Sequence, residues 1–443
     1  MRTPEALNRV ITSIAARQPA EHWRDDTEVV SVRKQVSALL ASENPPAVYG
    51  FNTLLGEMDS TSLVDSADQE EMYRNHLVGD PFTASADFVR LMTYAKIQQL
   101  SIGGNGITPE TYHKLLDFTD YTEALGAWNS SYGAGDVAIG AWWVRALFSS
   151  DDMNTSETAA SGFQWAPGDL ISLISGNFVS TAWGIAALLR YLDTAAHFFV
   201  RYGSTAVLRS DQLLTHDDGV SAAHSDLREH FQDYTATGIQ LPVSLREATS
   251  AVVAVLESIQ HMVSALDLRL STCSGNPLFI SSENSTHVEN ISQNSYLDHR
   301  LTMSATNALQ TTAMMSGLTQ RAVAYLAAQG KHNAGSGAKI QHPKVGTALL
   351  LRQNIAHTTL PAHFTGSESE GVEDFWDLSL LTCEKLIEST KGTQSVLSVF
   401  DATTDALVEE RSIQQVRGIL YRLAFGAEDG DTIAAGAQGL SLP

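Results

Sequence analysis

The chain has 443 residues, 43% hydrophobic and 18% charged, with 28 Lys and Arg against 50 Asp and Glu and a net charge of −22. A duplex-binding surface needs clustered cations to displace counterions from phosphate, so nucleic acid is excluded as a partner. The low charged fraction predicts surface buried between subunits. Cys273 and Cys383 are too few for a disulfide framework; both lie in apolar stretches and read as reduced core thiols of a cytoplasmic protein.

The opening MRTPEALNRVITSIAARQ has no uninterrupted apolar core and does not read as a secretory signal. Residues 1–150 alternate short helical pieces with Gly, Pro and Asn-rich turns: ENPPAVYGFNTLLG, VGDPF, SIGGNGITPE and NSSYGAGD. Loops held on a rigid scaffold are where chemistry is usually placed. From about residue 180 helical periodicity dominates. In 245–266 the apolar positions Leu245, Ala248, Val252, Leu256, Ile259, Val263 and Leu266 step by three and four, one stripe along a helix. Similar patterns cover 181–202, 298–328, 343–357 and 376–396.

The expected fold is therefore all-α, a central bundle of long helices with a loop-rich N-terminal part. The expected division is 1–180, 181–430 and a flexible tail at 431–443 (the end of EDGDTIAAGAQGLSLP). No run approaches the roughly 18 to 20 apolar residues of a membrane span, so no membrane partner is expected. The N-x-S/T sequons at Asn129, Asn154, Asn284 and Asn290 then carry no weight.

Several signals are discounted. GGNG at 103–106 follows a helical pattern, not the strand that a dinucleotide fingerprint requires. Gly335-Ser336-Gly337-Ala338-Lys339 lacks the Walker spacing. His216, His224 and His230 in THDDGVSAAHSDLREH do not match a compact ligand spacing and read as a surface loop, and no metal is expected.

What remains is a series of separated pieces. In order they are VYGFNTLLG (48–56), Asn75-His76, RLMTYAKIQQLSIGGNGI (90–107), SSYGAGDVAIGA (130–141), LISLISGNFVSTA (170–182), FQDYTATGIQLP (231–242), SGNPLFI (274–280) and SEGVEDFWDLS (369–379). Together they resemble the motifs of the aromatic amino acid lyases, the family of histidine and phenylalanine ammonia-lyases. Order and rough spacing hold over about residues 45–395, and the C-terminal segment is shorter than is usual in that family.

The resemblance implies a site and a defect. In these lyases an Ala-Ser-Gly tripeptide cyclises and loses water to give methylidene-imidazolone, an electrophile made from backbone. Here the matching residues are Gly133, Ala134 and Gly135. Ala134 has no leaving hydroxyl, so that cofactor is not expected to form, and no other cofactor is implied. Ser175 stands where the family has Asn, Thr237 where it has the Arg that clamps the substrate carboxylate, and Val372 where it has Gln. Without that Arg, bidentate carboxylate recognition is lost.

The acid/base set is largely kept. Tyr49 and Tyr234 match the two loop tyrosines, and Glu373 matches the acidic residue of the family's Glu-Asp pair; these three are the expected catalytic groups. His76, Asn177, Tyr296 and Lys344 are the expected substrate-binding residues. The resemblance also implies a homotetramer whose shared sites draw Tyr49, Tyr234 and Glu373 from different chains, and a small-molecule substrate.

The chemistry left to such a chain is proton transfer. Tyrosine has an ordinary pKa of about 10, and positioned acid/base groups supply on the order of 10² to 10⁴ in rate. That serves an activated substrate, one with a permanently charged leaving group or an acidified proton, and falls short for an unactivated amino acid. Elimination, conjugate addition and cyclisation all stay open at this point. A second reading also stays open: a catalytically inactive relative that binds a ligand or partner chain.

Overall fold

The computed structural model describes residues 3–55, 58–63, 66–128, 134–148, 165–209, 215, 217–232, 241–246, 248–281, 288–330, 336–356, 358, 360–361, 363–368, 373–404 and 410–443. The first part carries α1 (Glu5–Ala16), α2 (Thr27–Leu40), α3 (Ser66–Asn75), α4 (Ala86–Leu100), α5 (Pro109–Leu116), α6 (Val137–Phe148) and α7 (Asp169–Ile174). Then come α8 (Phe178–Gly203), α9 (Asp218–Leu227), α10 (Val243–Arg246), α11 (Thr249–Leu270), α12 (His299–Gly330), α13 (His342–Ala356), α14 (Ser379–Thr404), α15 (Glu410–Phe425) and α16 (Gly430–Ala437). The molecule is mainly α, as the periodicity requires, and at 1.5 Å per residue α12 is roughly 48 Å long.

The sequence understated strands. Among the described residues three two-stranded antiparallel sheets occur: β1 (Phe82–Ala84) with β2 (Ala124–Gly126), β3 (Leu278–Ser281) with β4 (Val288–Ile291), and β5 (His363–Glu368) with β6 (Glu373–Asp377). The helix expected from 376 accordingly starts at Ser379, after β6.

Helix α8 is the hub. Its run FVSTAWGIAALLRYLDTAAHFF is apolar or small on nearly every face, and almost all of it is buried. It packs on α4, α11, α12, α14 and α15. Gly184 permits the closest approach, since a Cβ there would stand 2.8 Å from Leu266 on α11 and 3.2 Å from Leu301 on α12. Helix α4 is buried along its length and packs on α8 and α1, which carries the hydrophobic core continuously from the loop-bearing part into the bundle.

Four expectations change. The division expected after residue 180 falls in the first turn of α8. The tail is not loose: α16 packs on α1 and α15, Arg190 donates to the carbonyls of Leu442 (2.9 Å) and Pro443 (3.1 Å), and Ser441 N–H donates to Asp87 at 3.0 Å. His224 is buried in α9 rather than on a surface loop. Two helical stretches, Asp169–Gly203 and Thr249–Leu270, are long and apolar enough to span a membrane by composition, but their most apolar windows are 100% and 67% buried in the fold.

Polar anchors fix the loops around the start of α8. Asp169, at the head of α7, accepts from Thr108 N (2.8 Å), Thr108 Oγ1 (2.9 Å) and Thr111 Oγ1 (2.7 Å), which pins α7 to the start of α5. Arg33 on α2 donates to the carbonyls of Gly106 (2.8 Å) and Pro167 (2.9 Å), clasping the loops before α5 and α7.

Candidate active site

Several loop segments meet near the N-terminal end of α8. Residues 134–136 form a single turn with Gly135 at φ 84° and Asp136 at φ 53°. Glycine adopts that left-handed region without strain; Asp136 needs compensation. It gets this from α8, where Asp136 Oδ2 accepts the Ser180 backbone N–H at 3.2 Å and the Ser180 hydroxyl at 3.0 Å. Asp136 thus serves as the cap that Asn177, the residue before α8, does not provide. The Gly135 carbonyl accepts from Gly176 N–H at 2.8 Å.

Tyr296 covers this turn. A Cβ placed on Gly135 would lie 3.4 Å from the Tyr296 ring and 3.7 Å from Ser175 Oγ. Ser175 Oγ in turn accepts from Asn276 N–H at 3.1 Å, tying α7 to the 274–277 loop. Strand β6 packs against the 134–136 turn, so the segment bearing Glu373 also reaches it. Asp377, at the end of β6, accepts from Asp298 N–H and from the Ser379 N–H (3.0 Å) and hydroxyl (2.7 Å).

Tyr49 arrives on a tightly built loop. Asn52 Oδ1 accepts from Val48 N–H at 2.7 Å, and Gly50 N–H donates to Thr53 O at 3.1 Å. Gly50 has φ 69°, and a Cβ there would stand 2.7 Å from Ile171, so the loop needs glycine twice over. Phe51 meets Phe279 edge-on at 5.0 Å between ring centroids. Ile171 then borders a crevice too tight to admit a water molecule, together with Asn105, Ser172, Ser175, Ser274 and Asn276. The Tyr49 loop therefore abuts α7, which runs directly into the Ser175 segment.

Beneath the turn lies charge that the sequence reading did not single out. Lys96, on α4, is only 1% exposed; its Nζ donates to Ser175 O at 2.7 Å and sits 5.0 Å from the Phe178 ring centroid. Burial lowers its pKa to about 7, against opposing pulls from Cys273 and Asp136. Asp136 moves the other way, to about 7, because burial and the nearby Asp377 outweigh the Ser180 bonds and Lys96. The Cys273 thiol is pushed up to about 12 by burial. Its surroundings are not apolar as expected: Asn105 Nδ2 is 3.9 Å from the sulfur.

An ion pair holds the chain on either side of Tyr296. Arg269 donates to Asp298 Oδ2 (3.1 Å), Leu297 O (2.7 Å) and Ser295 O. Burial raises the Asp298 pKa, with Arg269 opposing. Arg269, Cys273, Ser295 and Asp298 also border a cavity of about 420 Å³ that opens beside this cluster.

The expected site residues fare unequally. Gly135 and Tyr296 meet, and the backbone of Glu373 is on the strand packed there. Asn177 is also there, 2% exposed; with its amide turned to satisfy its neighbours, the oxygen faces Arg269 Nε at 2.6 Å and the nitrogen faces Ser274 Oγ at 3.0 Å. His76 follows α3, half-buried, in a segment tied to α6 by Trp142 Nε1 donating to Val78 O at 2.8 Å. Lys344 is exposed in the first turn of α13, a helix packed on α12 and α14, and within this chain it does not join the cluster. Gly133, Tyr234 and Thr237 lie outside the described residues, as do the side chains of Ala134 and Glu373. Among the described residues no group of three or more His, Cys, Asp or Glu is placed to hold a metal.

The family model described as aromatic amino acid lyase matches residues 7–400. The chain belongs to the aromatic amino acid lyase family. This family member is 23% identical over 405 residues to a histidine ammonia-lyase of Vibrio parahaemolyticus, spanning 80% of this chain and 76% of that protein. Its fold is similar to that of phenylalanine aminomutase from Pantoea agglomerans, with a TM-score of 0.73, 13% identity and 92% and 90% of the two chains covered. It is equally similar to ergothionase from Treponema denticola, an ergothioneine-degrading enzyme, with TM-score 0.73, 16% identity and 97% and 96% covered. Histidine ammonia-lyase from Trypanosoma cruzi follows with a TM-score of 0.68 at 14% identity, covering 100% and 97%.

An exocyclic alkene at position 134 would need a side-chain hydroxyl there as leaving group, and Ala134 has only a methyl group. Polar groups around the turn include the Ser175 and Ser180 hydroxyls, the Asp136 carboxylate and the buried Lys96 amine.

Proposed function

We propose that this member of the lyase family works without methylidene-imidazolone, by acid/base catalysis with Tyr49 and Tyr234 as proton-transfer groups and Glu373 as the third catalytic residue. The observation that carries the reading is Ala134 standing where the resemblance puts the ring-forming serine, in a chain whose Tyr49 loop is tightly bonded and whose Gly135 lies against Tyr296. The substrate is activated, and aromatic or amino-acid-derived. A permanently charged amine that departs neutral would be one such activation, and the likeness to the ergothioneine-degrading enzyme supports it. Elimination, conjugate addition and cyclisation fit the same proton transfers.

The ordinary carboxylate clamp has no replacement among the charged groups of the cluster. Arg269 is engaged by Asp298 and two carbonyls, and Lys96 is sealed below the turn. His76, Tyr296 and Lys344 are assigned to the substrate side, Lys344 by way of a neighbouring subunit. A cytoplasmic homotetramer completes the reading. Its support is the apolar outer face of α13, where Leu351 and Ile355 are 60% and 79% exposed, the kind of surface that another subunit covers.

The test has two parts. Intact mass of the purified protein is expected to equal that of the unmodified chain; a chain lighter by two waters overturns the reading. N,N,N-trimethylated aromatic amino acids offered beside the free amino acids are expected to release trimethylamine and an alkene chromophore. Turnover of free histidine or phenylalanine, with none of the betaines, would sink the proposed substrate class. Binding without turnover of any substrate would favour the inactive relative.

A further inference from the structure

We propose that Lys96 is the positioning residue that holds the glycine turn in shape in place of a covalent ring, acting through the Ser175–Gly176 peptide group. This rests on the reading that no ring forms at 133–135. Lys96 Nζ donates to Ser175 O at 2.7 Å, and the N–H of the same peptide unit, on Gly176, donates to Gly135 O at 2.8 Å. A donor on the carbonyl polarises the peptide and makes its N–H a stronger donor, so the two bonds reinforce one another.

The other end of the turn is held separately, by Asp136 accepting the Ser180 N–H and hydroxyl. Space around the amine leaves little alternative. A Cβ on Gly176 would stand 3.5 Å from Lys96 Nζ and 3.3 Å from Ser274 Oγ, so the peptide lies directly over the amine. A covalent heterocycle makes a turn rigid by removing its torsions; here hydrogen bonds at its two ends limit them.

Amide hydrogen exchange resolved at Gly176 tests this without any substrate. In Lys96→Met the Gly176 amide is expected to exchange at least about tenfold faster, the loss of one hydrogen bond, while amides in the middle of α11 keep their protection. Lys96→Gln, which keeps an N–H donor without charge, is expected to fall between, and stands in should the methionine variant not fold. Wild-type protection at Gly176 in either variant overturns the proposal. So does an equal acceleration throughout α11, which would make Lys96 a general support of the core. Intact mass is recorded on the same samples: a dehydrated chain sinks the ring-free reading, whereas altered or unaltered exchange in an undehydrated chain speaks to Lys96 alone.

Discussion

Asp136 accepts both the backbone N–H and the hydroxyl of Ser180, at 3.2 and 3.0 Å, so the residue that closes the glycine turn also caps the longest helix that starts at the site. Fold and site share that contact. Asp136→Ala is therefore expected to destabilise the protein by about 1 to 2 kcal/mol, the usual worth of a lost cap. Asp136→Asn, which keeps an acceptor, should lose less. Thermal unfolding of the two variants beside wild type is the measurement; equal stability of Asp136→Ala and wild type would count against the capping role.

The buried charges predict opposite pH trends. Asp136 is raised from 3.8 to about 7, so between those values the folded chain holds a proton that the unfolded chain has released. Its contribution to stability falls as pH rises through that window. Lys96 is lowered from 10.5 to about 7, so above about 7 the unfolded chain holds the extra proton and the contribution of Lys96 rises with pH. Stability of Asp136→Asn relative to wild type should therefore grow from about pH 4 to 7. Stability of Lys96→Met relative to wild type should decline from about pH 7 to 10. Unfolding midpoints of each variant and wild type across that range give the sign.

Gly50 is the narrowest point of the Tyr49 loop. Gly50→Ala must accept φ 69° and a Cβ within 2.7 Å of Ile171. A cost of about 2 to 4 kcal/mol is expected from strain and overpacking together. If the variant melts with wild type, the loop is softer than its contacts imply.

Tyr49→Phe separates chemistry from packing. The ring that packs against the core is retained and only the hydroxyl is lost. On an identified substrate, kcat should fall by roughly 10² to 10⁴ with the melting temperature nearly unchanged. Full activity would remove Tyr49 from the proton-transfer set.

Much of the molecule was legible in the residues alone. Stripes repeating at three and four located the long helices, because a helix in a bundle must bury one face whatever its partners, although the helix expected at 376–396 runs on to Thr404 and the stripe at 245–266 spans the break between α10 and α11. Glycine and asparagine marked the turns. The motif order pointed to the family.

The tertiary structure alone decided where the charge goes. Lys96 sits in RLMTYAKIQQL, where no local pattern marks the lysine as buried. Only the packing of α4 against α8 and the loops before it makes every face of that helix an inner face. Arg269 with Asp298, and Asp136 with Ser180, are likewise separated by 29 and 44 residues, and no local pattern announces their pairing. Asn177 looked available for substrate because sequence cannot show that Arg269 and Ser274 already surround it. Periodicity is a property of one segment and survives in the sequence, whereas burial of a polar group depends on what every other segment brings to it.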